Sequence, residues 1–221
     1  MNLGPLHRRP PADVLTIGSP YPLVLTGGYA VQAHGLVQRL RQDLDVATDN
    51  NDPMDQIAVT VTAGLRDRGW QAHVVEADPL AARLTVTDPD SGEECELDIL
   101  KEVLTRPAVI TDHGPVLPLE DVVGTKVRAP ADRGIARDLI DVRAAAHLWS
   151  AIELEALGRR HARDAFDLED LPARLGGADW IDDTECAAYG LTEPAIGELR
   201  PWAQRWADDL TARLHDQPLD D

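Results

Sequence analysis

The chain reads as an α+β fold on three observations. Strand-like segments gather in the first half, helical periodicity takes over from about residue 118, and 221 residues are enough to bury a core beneath both. Hydrophobic residues at 43% and charged residues at 27% fall in the range of ordinary globular proteins and outside that of disordered chains.

Taken in order, residues 1–15 (MNLGPLHRRPPADVL) carry basic residues and prolines without the apolar core of a secretory signal, and are expected to form a flexible arm. No apolar run approaches membrane-spanning length, so the expectation is a cytoplasmic protein with no membrane partner. Pro22 to Thr26 is a short apolar run ending in the Gly27-Gly28 turn, a buried strand, after which YAVQAHGL opens as a helix. Leu44 to Ala47 supplies a second strand closed by NNDP. Met54, Ile57, Ala58, Val61 and Leu65 then recur at helical spacing up to a stop at Gly69. Trp70 to Val75 is a further strand, and ARLTVTD and EECELDIL alternate as two more, joined by the turn PDSG. Helices are expected over Leu119–Ala129, Ile135–Trp149 and Ile152–Arg163. A last helix has Ile196, Leu199, Ala203, Trp206, Leu210 and Leu214 along one stripe. The division predicted is a core over 1–117 and a helical subdomain over 118–221, with no internal repeat or low-complexity tract.

Charge narrows the function. A formal net charge of -18 repels phosphate backbones at long range, which argues against general nucleic-acid binding. A local basic groove stays open, because Arg8, Arg9, Arg39, Arg41, Arg66 and Arg68 crowd the first third. Of 21 basic residues only Lys101 and Lys126 are lysine, so each stands out. Cys95 and Cys186 lie far apart and read as reduced core thiols. His34, His73, His113 and His147 lack metal-ligand spacing, and Trp202 and Trp206 at i, i+4 read as core before a stacking platform. Ser91 and Ser150 have no neighbouring base for a nucleophilic triad.

The residues that carry chemistry are Asp43 and Asp45. Side chains alternate along a strand, so both point one way while Leu44 and Val46 point into the core. Two like charges about 4 Å apart repel by about 4 kcal/mol at an effective dielectric of 20, so such a pair must be protonated, splayed into water or neutralised by a cation. Oxygen ligands suit a hard ion such as magnesium, which binds substrate phosphates alongside one or two carboxylates. A lone D-x-D is more often a solvated strand end. Here a neighbouring strand adds Asp98, flanked by the apolar Leu97 and Ile99, with Glu94 and Glu96 as rivals on the same face. Gly27 and Gly28, between a strand and a helix, would let backbone N–H groups approach an anion.

Together GG, helix and D-x-D resemble the signature of the DNA polymerase beta superfamily of nucleotidyltransferases, and imply its core with a mixed sheet ahead of the helical subdomain. More narrowly, GGYAVQAHGLVQRLRQDLDVAT is similar to the AbiEii/MenT type of nucleotidyltransferase toxin. GTKVRAPADRGIARDLIDV resembles that family's second block, with Lys126, Arg133, Gly134, Arg137, Asp138 and Asp141 in matching positions. The resemblance runs from about Leu25 to Leu148. In the second block, Asp138 and Asp141 share a helix face with Arg137 beside them able to offset their charge, and Lys126 is a compact point charge suited to phosphate. Pro130 is expected to kink or end the helix that carries Lys126.

The resemblance implies magnesium-dependent transfer of a nucleoside monophosphate from a nucleoside triphosphate to a hydroxyl. Asp43, Asp45 and Asp98 would be metal ligands, and these with Lys126 and Asp141 the catalytic set. Gly27, Gly28, Arg39, Lys126 and Asp138 would hold the nucleotide. Asp98 would complete the second metal site or take the acceptor proton. The family implies a toxin acting on tRNA and paired with a separately encoded antitoxin. Two rivals stay open: a nucleotidyltransferase of small cationic molecules such as aminoglycosides, which suits the acidic charge, and a nucleotide-binding module without turnover.

Overall fold

Among the described residues, the β-rich half of the chain folds as one seven-stranded mixed sheet in the order β3-β4-β5-β2-β1-β7-β6. Its strands are β1 (Val24–Leu25), β2 (Asp43–Thr48), β3 (Gln71–Ala77), β4 (Ala81–Thr87), β5 (Glu94–Lys101), β6 (Val109–Thr111) and β7 (Gly114–Val116). The helices are α1 (Arg9–Ile17), α2 (Gly27–Ala33), α3 (Met54–Asp67), α4 (Leu119–Arg133), α5 (Ala136–Ala145), α6 (Ala151–Arg160), α7 (Leu171–Gly176), α8 (Asp183–Ala188) and α9 (Glu193–His215). The computed structural model describes residues 9–37, 43–133, 136–161 and 167–216, with side chains for all of these but 9–10 and 130–133. Among the described residues no helix is long and apolar enough to cross a membrane.

Two units divide the chain, Met1–Val122 and Val123–Asp221, a boundary that falls inside α4. In the first, β2 pairs in parallel with β5 and antiparallel with β1, while β3, β4 and β5 form an antiparallel run. Leu44, Val46, Leu84, Val86, Leu97 and Ile99 fill one face of this sheet, and α3 buries Met54, Ile57, Ala58, Val61 and Leu65 in the same core. The alternation that sends these residues inward sends Asp43, Asp45, Arg83, Glu96 and Asp98 to the other face. The predicted PDSG turn closes the β4–β5 hairpin: the Gly92 N–H donates to the Asp88 carbonyl at 2.8 Å and Gly92 adopts a φ of +72°.

Three expectations are corrected. The proposed flexible arm is helical from Arg9, with Val14 fully buried in the core and Asp13 accepting from Trp70 Nε1 at 2.9 Å; residues 1–8 lie outside the described residues. Pro10 and Pro11 sit in the first turn of α1, where a missing N–H costs nothing. The helix bearing Lys126 does not end at Pro130 but runs to Arg133, without the intrahelical bond that an N–H at residue 130 would donate to the Lys126 carbonyl. The helix expected to reach Trp149 stops at Ala145, because Ser150 starts α6 with a capping box to Glu153.

In the second unit α4 and α6 touch backbone to backbone, since a Cβ on Gly124 would come within 2.6 Å of the Leu157 carbonyl oxygen. Glu155 of α6, 3% exposed, accepts from Trp206 Nε1 at 2.8 Å and from both terminal nitrogens of Arg213 on α9. Trp206 is therefore core, as its spacing predicts. Trp202 is half-buried, with the Arg143 guanidinium 5.4 Å from its ring centre.

Candidate active site

The site of the first unit is built by sheet register. Parallel pairing of β2 with β5 sets Asp43 opposite Glu96 and Asp45 opposite Asp98, and antiparallel pairing of β5 with β4 sets Asp98 opposite Arg83. Asp45, Asp98 and Arg83 thus form one row across three strands. Among the described residues, Glu94 lies beyond the stretch of β5 that pairs with β2. Of the rivals for the third acid, only Glu96 shares the row of an aspartate.

The glycine turn is fastened to the same row. β1 pairs antiparallel with β2, Leu25 opposite Val46, so the chain leaves β1 beside Asp45. The Thr26 N–H donates to the Asp45 carbonyl at 3.0 Å, and the Gly28 N–H donates to Asp45 Oδ2 at 3.3 Å. Gly27 has a φ of +53°, and a Cβ there would stand 1.9 Å from Asp45 Oδ2. Glycine is required on both counts. In Gly27→Ala the methyl must displace the Asp45 carboxylate. Because a misplacement of about 1 Å can cost about a hundredfold in rate, nucleotide transfer should fall by about that factor or more. A melting curve that moves little alongside the lost rate would locate the effect in the site.

Asp98 is held by a guanidinium fork. Arg83 Nε donates to Oδ1 at 2.8 Å and Nη2 to Oδ2 at 2.8 Å, while Glu96 Oε1 lies 2.8 Å from the same Nε. The Asp98 hydrogen bonds, with the charges of Asp98, Glu96 and Asp43, hold the Arg83 guanidinium above its ordinary range. On the core face, burial pushes the Cys95 thiol up to about 12, with Asp43 adding to the shift, so it is inert as the sequence suggests.

The second unit gathers the other block. Lys126 Nζ donates to Asp138 Oδ1 at 2.8 Å and stands 3.2 Å from Asp141 Oδ2. All three side chains are buried, the two aspartates completely. The sequence marks Lys126 as a point charge suited to phosphate; in the structure it neutralises two buried carboxylates. Arg39 and Gly134 lie outside the described residues, and the side chain of Arg133 is likewise not described.

The donor set of the first unit is oxygen only, which fits a hard divalent cation held by one or two carboxylates together with substrate phosphates. Asp43 and Asp45 are a carboxylate pair of that kind. Among the described residues no three His, Cys, Asp or Glu side chains converge as a ready metal cage.

A glycine turn locked onto a D-x-D strand, with a third acid in register on the parallel neighbour, is the layout of a nucleotidyltransferase. The model of the family described as "Nucleotidyl transferase AbiEii toxin, Type IV TA system" matches residues 17–218, and the chain belongs to that family. It is a nucleotidyltransferase of the toxin–antitoxin class. In fold it is similar to JHP933 from Helicobacter pylori, at 19% identity and a TM-score of 0.58 with 97% of each chain covered. It is also similar to MenT4, a nucleotidyltransferase toxin from Mycobacterium tuberculosis, at 16% identity and a TM-score of 0.57 over 97% of this chain and 88% of that one. None of the curated proteins matches the chain.

Arg83 is the site residue that sequence reasoning missed. A signal for it existed. Once PDSG is taken as the hairpin turn, counting outward from the pair Thr87 and Glu94 sets residue 83 opposite residue 98.

Proposed function

We propose that the chain transfers a nucleoside monophosphate from a nucleoside triphosphate to a hydroxyl at the 3' end of tRNA, in a magnesium-dependent reaction restrained by a separately encoded antitoxin. The observation that carries this reading is the seating of Asp45: its carboxylate rests against the Gly27–Gly28 turn, beside Asp43 and in register with Asp98. Magnesium, when bound, offsets charge on the triphosphate and on the attacking and leaving oxygens. Asp43 and Asp45 hold it, and the turn fixes the direction in which the Asp45 oxygens point. The acceptor oxygen forms a bond to the α-phosphorus, the bond from that phosphorus to the bridging oxygen breaks, and pyrophosphate leaves. Asp98, oriented by Arg83, takes the hydroxyl proton. Lys126 keeps the nucleotide-binding role that the family resemblance implies, while its ammonium also neutralises Asp138 and Asp141. Asp138 and Asp141 position nucleotide or acceptor through it.

The net charge of -18 favours a second reading, a small cationic acceptor drawn to an acidic surface. Incubating the chain with each of the four α-labelled nucleoside triphosphates, with total tRNA or an aminoglycoside panel, separates the two. Label should appear on tRNA, only with magnesium, and vanish with chelator. Label on an aminoglycoside instead would establish the second reading, and label on neither would refute both.

A further inference from the structure

The two roles open to Asp98, metal ligand or proton acceptor, need different surroundings. A ligand must turn an oxygen lone pair to a cation, and a second cation placed beside it raises the cost of that. A proton acceptor needs its orientation fixed. The fork from Arg83 engages both Asp98 oxygens at 2.8 Å in the planar geometry that guanidinium and carboxylate share. Glu96 braces Arg83 at the same Nε, its Oε1 2.8 Å away, and antiparallel register places the two ends of the fork directly opposite one another. The arrangement is partly open, with Asp98 20% and Arg83 48% exposed, so a substrate hydroxyl can approach Asp98 without displacing Arg83.

We infer that Arg83 is a positioning residue that withholds Asp98 from the metal, leaving Asp43 and Asp45 as the resident ligands and Asp98 as an oriented proton acceptor. The inference rests on the reading that Asp43 and Asp45 hold a divalent cation. Both Asp98 oxygens are already engaged in charge-assisted hydrogen bonds, so a metal that recruits Asp98 must compete with them and approach a guanidinium. The chain therefore spends a cation of its own on the third acid, where the sequence alone pointed to a shared ion.

The test is a double-mutant cycle read by Mn2+ binding to the full chain, with the metal alone as probe and electron paramagnetic resonance counting free ion. With Arg83 present, Asp98→Asn should weaken binding by no more than about threefold; in the Arg83→Gln background, where the acid is released, the same change should cost about tenfold or more. Removing a positive charge tightens metal binding by itself, which is why the difference between backgrounds is the measured quantity. A cost of Asp98→Asn that is equal in the two backgrounds overturns the inference, whether that cost is large or small. Asp45→Asn is the control: if it leaves Mn2+ affinity intact, the metal reading falls and the inference with it, whereas lost binding there with equal costs at Asp98 refutes the role of Arg83 alone. Arg83→Lys, which keeps the charge but not the fork, should behave as an intermediate and shows that geometry as well as charge is at work.

Discussion

Asp45→Asn should reduce nucleotide transfer by about a thousandfold or more, equivalent to about 4 kcal/mol of transition-state stabilisation, while the protein stays folded. The substitution separates two things that Asp45 does. Its Oδ2 accepts from the Gly28 N–H at 3.3 Å, and the amide oxygen of asparagine can take over that bond. What asparagine cannot supply is the negative charge that a hard cation requires. The turn is thus retained and the cation lost, so circular dichroism and the melting temperature should stay close to those of the parent chain. Asp45→Ala removes the acceptor as well, and should add a loosened Gly27–Gly28 turn to the same catalytic loss. Transfer by Asp45→Asn within tenfold of the parent rate would remove Asp45 from the metal site.

The aspartates were legible because strand alternation is a strict local rule: with Leu44 and Val46 inward, Asp43 and Asp45 have one face left to occupy. What joins them to the glycine turn is not local. It depends on β1 pairing with β2 so that Leu25 faces Val46, which neither short segment announces by itself. The same limit hid Arg83, which is one exposed arginine among many until the β4–β5 register puts it against Asp98. Lys126 stood out by its rarity, yet its surroundings depend on the packing of α4 with α5, through which burial of Asp138 and Asp141 commits its charge.

Elements with a clean period were found within a few residues: α3, the β4–β5 hairpin and the apolar stripe of α9. Several of those missed contain residues that usually mark loops. Gly114 and Pro115 disguise β7, although Pro115 stands opposite Ile110 inside the sheet and Gly114 takes the φ of +106° that the tight β6–β7 turn requires. Pro10 and Pro11 disguise the start of α1 in the same way, and Pro201 lies within α9 without ending it. In each case tertiary packing overrides a local preference worth a few kcal/mol at most.

Lys126→Met should destabilise the protein by about 3–5 kcal/mol, because it removes the ammonium that lies 2.8 and 3.2 Å from two fully buried carboxylates. A melting temperature lower by about 10 °C is the expected reading. Adding Asp138→Asn and Asp141→Asn to Lys126→Met removes the carboxylate charge as well and should restore more than half of the loss, since a buried ion cluster is seldom more stable than neutral groups of the same shape. That comparison bears on function. If the cluster served stability alone, the neutral triple variant would transfer nucleotide as the parent does. Buried charge is an expensive way to hold α4 to α5, and the retention of Lys126 between Asp138 and Asp141 in place of neutral packing is what a role for its charge would require. The triple variant should therefore fold and yet transfer nucleotide at least about a hundredfold more slowly, the scale on which charged groups contribute to phosphoryl-type transition states. Parent-level transfer by a folded triple variant would confine Lys126, Asp138 and Asp141 to holding the helices together.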